Sequence, residues 1–135
     1  MKLKREAMNV LIIDDDPKFR MLMKRLLERK FFASVAEAEN GVSGIDMVKK
    51  VNADIIFLDY EMPHMNGKQF LEKLRAFNKH IPVAVMTSHS EKEIVSEMLV
   101  YGISDYILKA DVNTDLAERI GQIFLKNRHL FSKKF

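Results

Sequence analysis

Val10-Leu11-Ile12-Ile13-Asp14-Asp15-Asp16-Pro17 is the stretch on which the fold turns. A short apolar run with no polar alternation predicts a strand buried on both faces. Three more runs of this kind follow: Ile55-Ile56-Phe57-Leu58, Val83-Ala84-Val85-Met86 and Tyr106-Ile107-Leu108. A fifth, weaker strand is expected around Phe32 to Ala38, before a helix that starts near Gly41 and turns Ile45 and Val48 inward. The intervening segments carry helical spacing: Phe19, Leu22, Met23, Leu26 and Leu27; Phe70, Leu71, Leu74 and Phe77; Leu116, Ile120, Ile123 and Phe124. Continuous apolar strands alternating with helices require a parallel sheet covered on both sides and joined by right-handed crossovers. The expected class is therefore α/β, with five βα units filling 135 residues.

Composition removes several classes of function. Lys and Arg number 22 against 19 Asp and Glu, a net charge of +3, too balanced for a polybasic nucleic-acid coat. With 47% hydrophobic residues the chain is too apolar for a disordered tail. The absence of Cys excludes a disulfide scaffold, a thiolate zinc site, an iron–sulfur cluster and a Cys nucleophile. His64, His80, His89 and His129 are scattered without ligand spacing. The opening Met1-Lys2-Leu3-Lys4-Arg5-Glu6 lacks the apolar core of a signal peptide, and no apolar stretch approaches the roughly 20 residues of a membrane span. A cytoplasmic chain with no direct nucleic-acid or membrane partner is expected. Without an internal repeat or a Pro/Gly/Ser linker, residues 1–135 read as one domain with its core at about 8–125. The basic segment 126–135, with Phe131 and Phe135, reads as a frayed extension of the last helix or the stub of a linker.

The ends of the apolar runs carry the chemistry: Asp14-Asp15-Asp16, then Asp59, Thr87 and Lys109. In open parallel sheets ligands bind beyond the carboxyl ends of the strands, at the point where strand order reverses. One Asp after a strand most often caps the next helix, but four polar groups at equivalent positions point to a shared site. Carboxylates gathered there repel and must take up protons or hold a hard cation, and oxygen-only ligands suit Mg²⁺. An acidic cluster beside Lys109 and the Thr87 hydroxyl suits a phosphoryl group. No Gly-rich loop is present for a nucleotide, and Ser88 and Ser90 lack a paired base, so Asp59 is the candidate nucleophile.

Together with Leu58-Asp59-Tyr60-Glu61-Met62-Pro63-His64-Met65-Asn66-Gly67, Val85-Met86-Thr87-Ser88 and Asp105-Tyr106-Ile107-Leu108-Lys109, the first motif resembles the receiver domain of bacterial two-component response regulators, of the chemotaxis-receiver kind. The likeness covers about residues 8 to 125. It implies a flavodoxin-like doubly wound sheet of order 2-1-3-4-5. It also implies a signalling protein that takes a phosphoryl group from a histidine kinase or phosphotransfer protein, rather than an enzyme acting on a free substrate. By this resemblance Asp59 is the phosphoacceptor, Asp14 and Asp15 hold Mg²⁺ with Asp15 as direct ligand, and the Glu61 carbonyl completes the metal shell. Thr87 and Lys109 bind phosphoryl oxygens, and Thr87 with Tyr106 forms a switch that alters the face built from the fourth helix, the fifth strand and the fifth helix, the surface for a downstream protein. Asp16 reads equally as the N-cap of the helix opened by Pro17.

Lys109 is normally followed by Pro in a cis peptide; here Ala110 follows, where a cis bond would cost roughly 3–4 kcal/mol. Either the loop carries that strain or it relaxes to trans and shifts the surroundings of Lys109. Asp105 and Arg119 resemble an acid and base used across symmetric dimers of the family, so the chain is expected to be a monomer or a weak phosphorylation-dependent homodimer. Glu61 and His89 should flank the approach of water to the aspartyl phosphate and make its hydrolysis slow. Three alternatives remain open. A haloacid-dehalogenase-like Mg²⁺ phosphatase wants D-x-D-x-[TV], and Asp14-Asp15-Asp16-Pro17-Lys18 lacks the Thr or Val. An FMN carrier of the flavodoxin kind needs a phosphate loop where this chain has three Asp. A degenerate receiver acting only as a binding module would normally have lost one of the acids or Lys109. The chain ends soon after the last expected helix, which suggests a stand-alone receiver or the front of a longer protein.

Overall fold

Five strands, β1 (Asn9–Ile13), β2 (Ser34–Ala38), β3 (Ile55–Asp59), β4 (Val83–Thr87) and β5 (Asp105–Leu108), alternate with five helices, α1 (Pro17–Phe31), α2 (Gly41–Lys50), α3 (Gly67–Phe77), α4 (Lys92–Leu99) and α5 (Val112–Lys126). The computed structural model describes residues 7–88 and 92–131. All strand pairs are parallel, in the order β2-β1-β3-β4-β5. The winding reverses at β1, so the crevice beyond the ends of β1 and β3 is the switch point of the sheet.

Side-chain alternation divides each central run between two cores, which is why the runs are apolar throughout. Val10, Ile12, Phe57, Ala84 and Met86 pack with Phe19, Met23 and Leu27 of α1 and Leu116, Ile120, Ile123 and Phe124 of α5. Leu11, Ile13, Ile56, Leu58, Val83 and Val85 pack with Phe70, Leu71 and Leu74 of α3 and Met98 of α4. Among the described residues no helix is long and apolar enough to cross a membrane.

The helices start where short polar side chains can satisfy their first N–H groups. Asp16 accepts from the Lys18 N–H at 3.0 Å with Pro17 as first helical residue, and Asn40 accepts from Ser43 at 2.8 Å. At α3, Asn66 and Gln69 form a reciprocal capping box, each bond 2.9 Å long. Three details depart from the expectations of the sequence. β5 is an edge strand and keeps only Ile107 buried, so Tyr106 is 40% exposed. Phe32 does not begin β2; it closes α1 in the left-handed conformation at φ 54°, its N–H donating to the Leu27 carbonyl. Leu22 and Phe77, in phase with the inner faces of their helices, lie at the margin and are exposed.

Two glycines lie in opposite environments. A Cβ on Gly67 would fall 2.9 Å from the Tyr60 Cα, so α3 sits against the end of β3 only because no side chain intervenes. A Cβ on Gly121 would meet the Phe31 ring at an ordinary 3.7 Å. Gly67→Ala is expected to destabilise the fold by about 1–3 kcal/mol, whereas Gly121→Ala should stabilise it by up to about 1 kcal/mol through helix propensity. Urea unfolding of the two variants checks this, and equal effects at both positions would contradict it.

Candidate functional site

Strand register sets the rim of the crevice. Ile13 pairs with Leu58, which brings Asp14, just past β1, level with Asp59 at the end of β3. Asp59 pairs with Met86, so Thr87 lies one step further on β4, and Thr87 pairs with Leu108, so Lys109 follows one step beyond β5. Asp14, Asp59 and Thr87 are buried, whereas Asp15 and Glu61 are exposed.

The two buried carboxylates are held alike. Asp14 Oδ1 accepts from the Asp16 N–H at 2.9 Å, and Asp59 Oδ1 accepts from the Glu61 N–H at 3.2 Å. Each uses the backbone amide two residues on, as Asx turns do. Their Oδ2 atoms share one cation: the Lys109 ammonium lies 2.9 Å from Asp14 Oδ2 and 3.4 Å from Asp59 Oδ2. The Lys109–Ala110 peptide is trans, no cis bond occurring among the described residues, and opens a 3-10 turn over Lys109–Asp111. The trans alternative therefore holds, and the ammonium still reaches the acids.

One ammonium does not neutralise this cluster. Carboxylate oxygens of Asp14, Asp15 and Asp59 all lie within 4.8 Å of one another. The Asp59 carboxyl is pushed up to about 8, first by burial and next by the charge of Asp14; Lys109 pulls it down without reversing the shift, and hydrogen bonds with Asp14 and Asp15 add to the rise. Burial pulls the Lys109 ammonium down, but the Asp14 hydrogen bond and the charges of both acids hold it above its usual value. Asp14 Oδ2 is buried and faces the Lys109 ammonium at 2.9 Å. A compact, oxygen-only, electron-rich set of three carboxylates around one ammonium fits a hard divalent cation such as Mg²⁺.

The remaining expected residues sort by position. Asp16 belongs to the cap of α1. Tyr106 points outward, and its carbonyl accepts from Arg119 at 3.1 Å. Asp105 is paired within the chain, 3.0 Å from Arg119 and 3.4 Å from Lys126. His89 lies outside the described residues, and with it the expected pairing with Glu61. Two contacts had no signal in the strand-end pattern because they come from α1. Arg20 donates to the Asp14 carbonyl at 2.6 Å while its Nε meets Glu37 at 3.1 Å, and the Phe19 ring centroid lies 4.7 Å from the Lys109 ammonium.

Known proteins resemble the chain in sequence and in fold. A family profile described as response regulator receiver domain matches residues 10–121. The chain is 34% identical over 119 residues to the chemotaxis protein CheY-3 of Vibrio cholerae, covering 87% of this chain and 92% of that protein. It is 33% identical over 119 residues to the chemotaxis protein CheY of Pseudomonas aeruginosa, covering 87% and 96%. A two-component response regulator from Clostridium difficile superposes with a TM-score of 0.81 at 25% identity, covering 90% of this chain and 97% of that one. The response regulator domain of Thermotoga maritima CheB superposes equally well, TM-score 0.81 at 23% identity over 91% and 98%, a likeness of fold.

The Asp59 shift fixes the sign of a pH dependence. Between its ordinary 3.8 and about 8 the folded chain keeps a proton that the unfolded chain has released, so stability falls as pH rises across that window and levels off above it. Without divalent cations the melting temperature is expected to drop between about pH 5 and about pH 9, and Mg²⁺ added at the alkaline end should raise it by binding the folded form. Calorimetric scans with chelator and with Mg²⁺ check this; a metal-free stability that rises through the same window would contradict it.

Proposed function

The chain belongs to the response regulator receiver domain family, of the CheY-like two-component kind, and from that premise we propose that Asp59 is the phosphoacceptor of a single receiver domain spanning residues 1–135. The observation that carries the reading is the shared Lys109 ammonium, 3.4 Å from Asp59 Oδ2 and 2.9 Å from Asp14 Oδ2, at the carboxyl ends of the strands. An Asp59 carboxylate oxygen attacks the phosphorus of a partner's phosphohistidine. The P–N bond breaks, its electron pair stays on the imidazole, and that ring, protonated at its other nitrogen, leaves neutral as the aspartyl phosphate forms. The donor is a sensor histidine kinase or a phosphotransfer protein, and the cytoplasm is the compartment this reading requires.

Asp14, Asp15 and Asp59 would hold Mg²⁺ together with the Glu61 carbonyl, and the ion would neutralise the cluster and draw charge from the phosphoryl oxygens. Lys109 pairs with one phosphoryl oxygen and the Thr87 hydroxyl with another. The protein thereby promotes its own phosphorylation and its slow dephosphorylation, by positioning and electrostatics alone. Engagement of Thr87 and rotation of Tyr106, now outward, alter the α4-β5-α5 face for a downstream protein. Pairing of Asp105 with Arg119 and Lys126 inside the chain supports a monomer, because a symmetric dimer through these charges would have to break those pairs first.

Incubation with Mg²⁺ and phosphoramidate, followed by intact-mass spectrometry, tests the reading. The unsubstituted chain is expected to gain one phosphoryl group, Asp59→Asn none, and Lys109→Ala to load slower by about a hundredfold, the usual loss when one charge-stabilising donor is removed. Loading of Asp59→Asn at the unsubstituted rate would refute the phosphoacceptor. Continuous release of inorganic phosphate from many organic phosphates would favour the phosphatase alternative.

A further inference from the structure

Lys109 is held from three sides, and the acids account for two. The third is Phe19, whose ring centroid lies 4.7 Å from Nζ. Both partners are withdrawn from water: the Lys109 side chain is 15% exposed and Phe19 8%. The ring is fixed. Phe19 packs in the same core as Met86, Ile107 and Leu116, and it sits in the first turn of α1, whose start is set by the Asp16 cap. A partly desolvated ammonium within about 6 Å of a ring face is attracted by the ring quadrupole. The contact differs in kind from the carboxylate bonds. An oxygen acceptor at that position would claim one of the ammonium's N–H groups, whereas a ring restrains the cation and leaves its N–H groups free to pass from Asp59 Oδ2 to an arriving oxygen.

We propose that Phe19 is a positioning residue for Lys109: its ring holds the ammonium over the gap between Asp14 and Asp59, where a phosphoryl oxygen is to be met. The inference rests on Lys109 being the phosphoryl-binding cation. The backbone at Lys109, a trans peptide entering a 3-10 turn, does not by itself direct the long side chain, and the ring supplies that constraint.

Loading with phosphoramidate and Mg²⁺ is compared for the unsubstituted chain, for Phe19→Leu, and for a chain carrying pentafluorophenylalanine at position 19, which keeps the shape of the ring and reverses its quadrupole. Both replacements are expected to slow loading roughly two- to thirtyfold, the range of a desolvated cation–π contact. In a Lys109→Met background the Phe19→Leu effect should vanish. Unchanged rates, or an equal loss with and without the Lys109 ammonium, would overturn the proposal, since the ring would then act by packing alone. A second readout is independent of phosphorylation. The Lys109 ε-methylene protons should show an upfield ring-current shift that disappears in Phe19→Leu, and its absence from the unsubstituted chain would overturn the contact itself. A chain that shows this shift yet loads nothing at Asp59 would overturn the phosphoacceptor reading, and the role of the ring with it.

Discussion

The structure depends on one electrostatic constraint: two buried carboxylates, Asp14 and Asp59, share one ammonium, Lys109, at the carboxyl edge of a parallel sheet. Burying an unpaired charge is costly, and here three carboxylates face one cation. The sheet makes this tolerable by fixing the first oxygen of each buried acid on a backbone amide and turning the second toward Lys109. What remains uncompensated pushes the Asp59 carboxyl up to about 8. The same deficit that is expected to weaken the protein at alkaline pH suits the site to a hard divalent cation.

Much of this was legible in the sequence because the relevant signals are local. The apolar runs ended on their polar groups at the right places, and strand register alone then set Asp14 level with Asp59 and stepped Thr87 and Lys109 outward. Asp16 could be read two ways, and the cap prevails because it is the side chain that reaches the Lys18 amide. The misreadings have physical causes. Hydrophobicity does not record whether a strand is central or at an edge, so Tyr106-Ile107-Leu108 looked as buried as the others. A left-handed Phe32 has no sequence signature, since that position normally favours Gly.

Long-range polar contacts escaped for a different reason. Arg75 donates to the carbonyls of Asn78, Ile81, Tyr101 and Gly102, tying α3 to the loop after α4. Nothing in the spacing distinguishes that arginine from a solvated one. Arg20 and Phe19 are equally silent until α1 is laid over the site. The charges on the outer flank were legible as residues: Asp105 and Arg119 suggest a bridge between subunits, and within one chain they lie 3.0 Å apart, with Lys126 3.4 Å from Asp105.

The proton on Asp59 is the most direct witness to the constraint. Its side-chain carboxyl carbon, followed by NMR in the metal-free protein, is predicted to titrate near pH 8, and saturating Mg²⁺ should move that midpoint far down toward the ordinary carboxylate range. A midpoint already near 3.8 without metal, unmoved by Mg²⁺, would contradict the account, because the cluster would then be neither short of positive charge nor built to receive it.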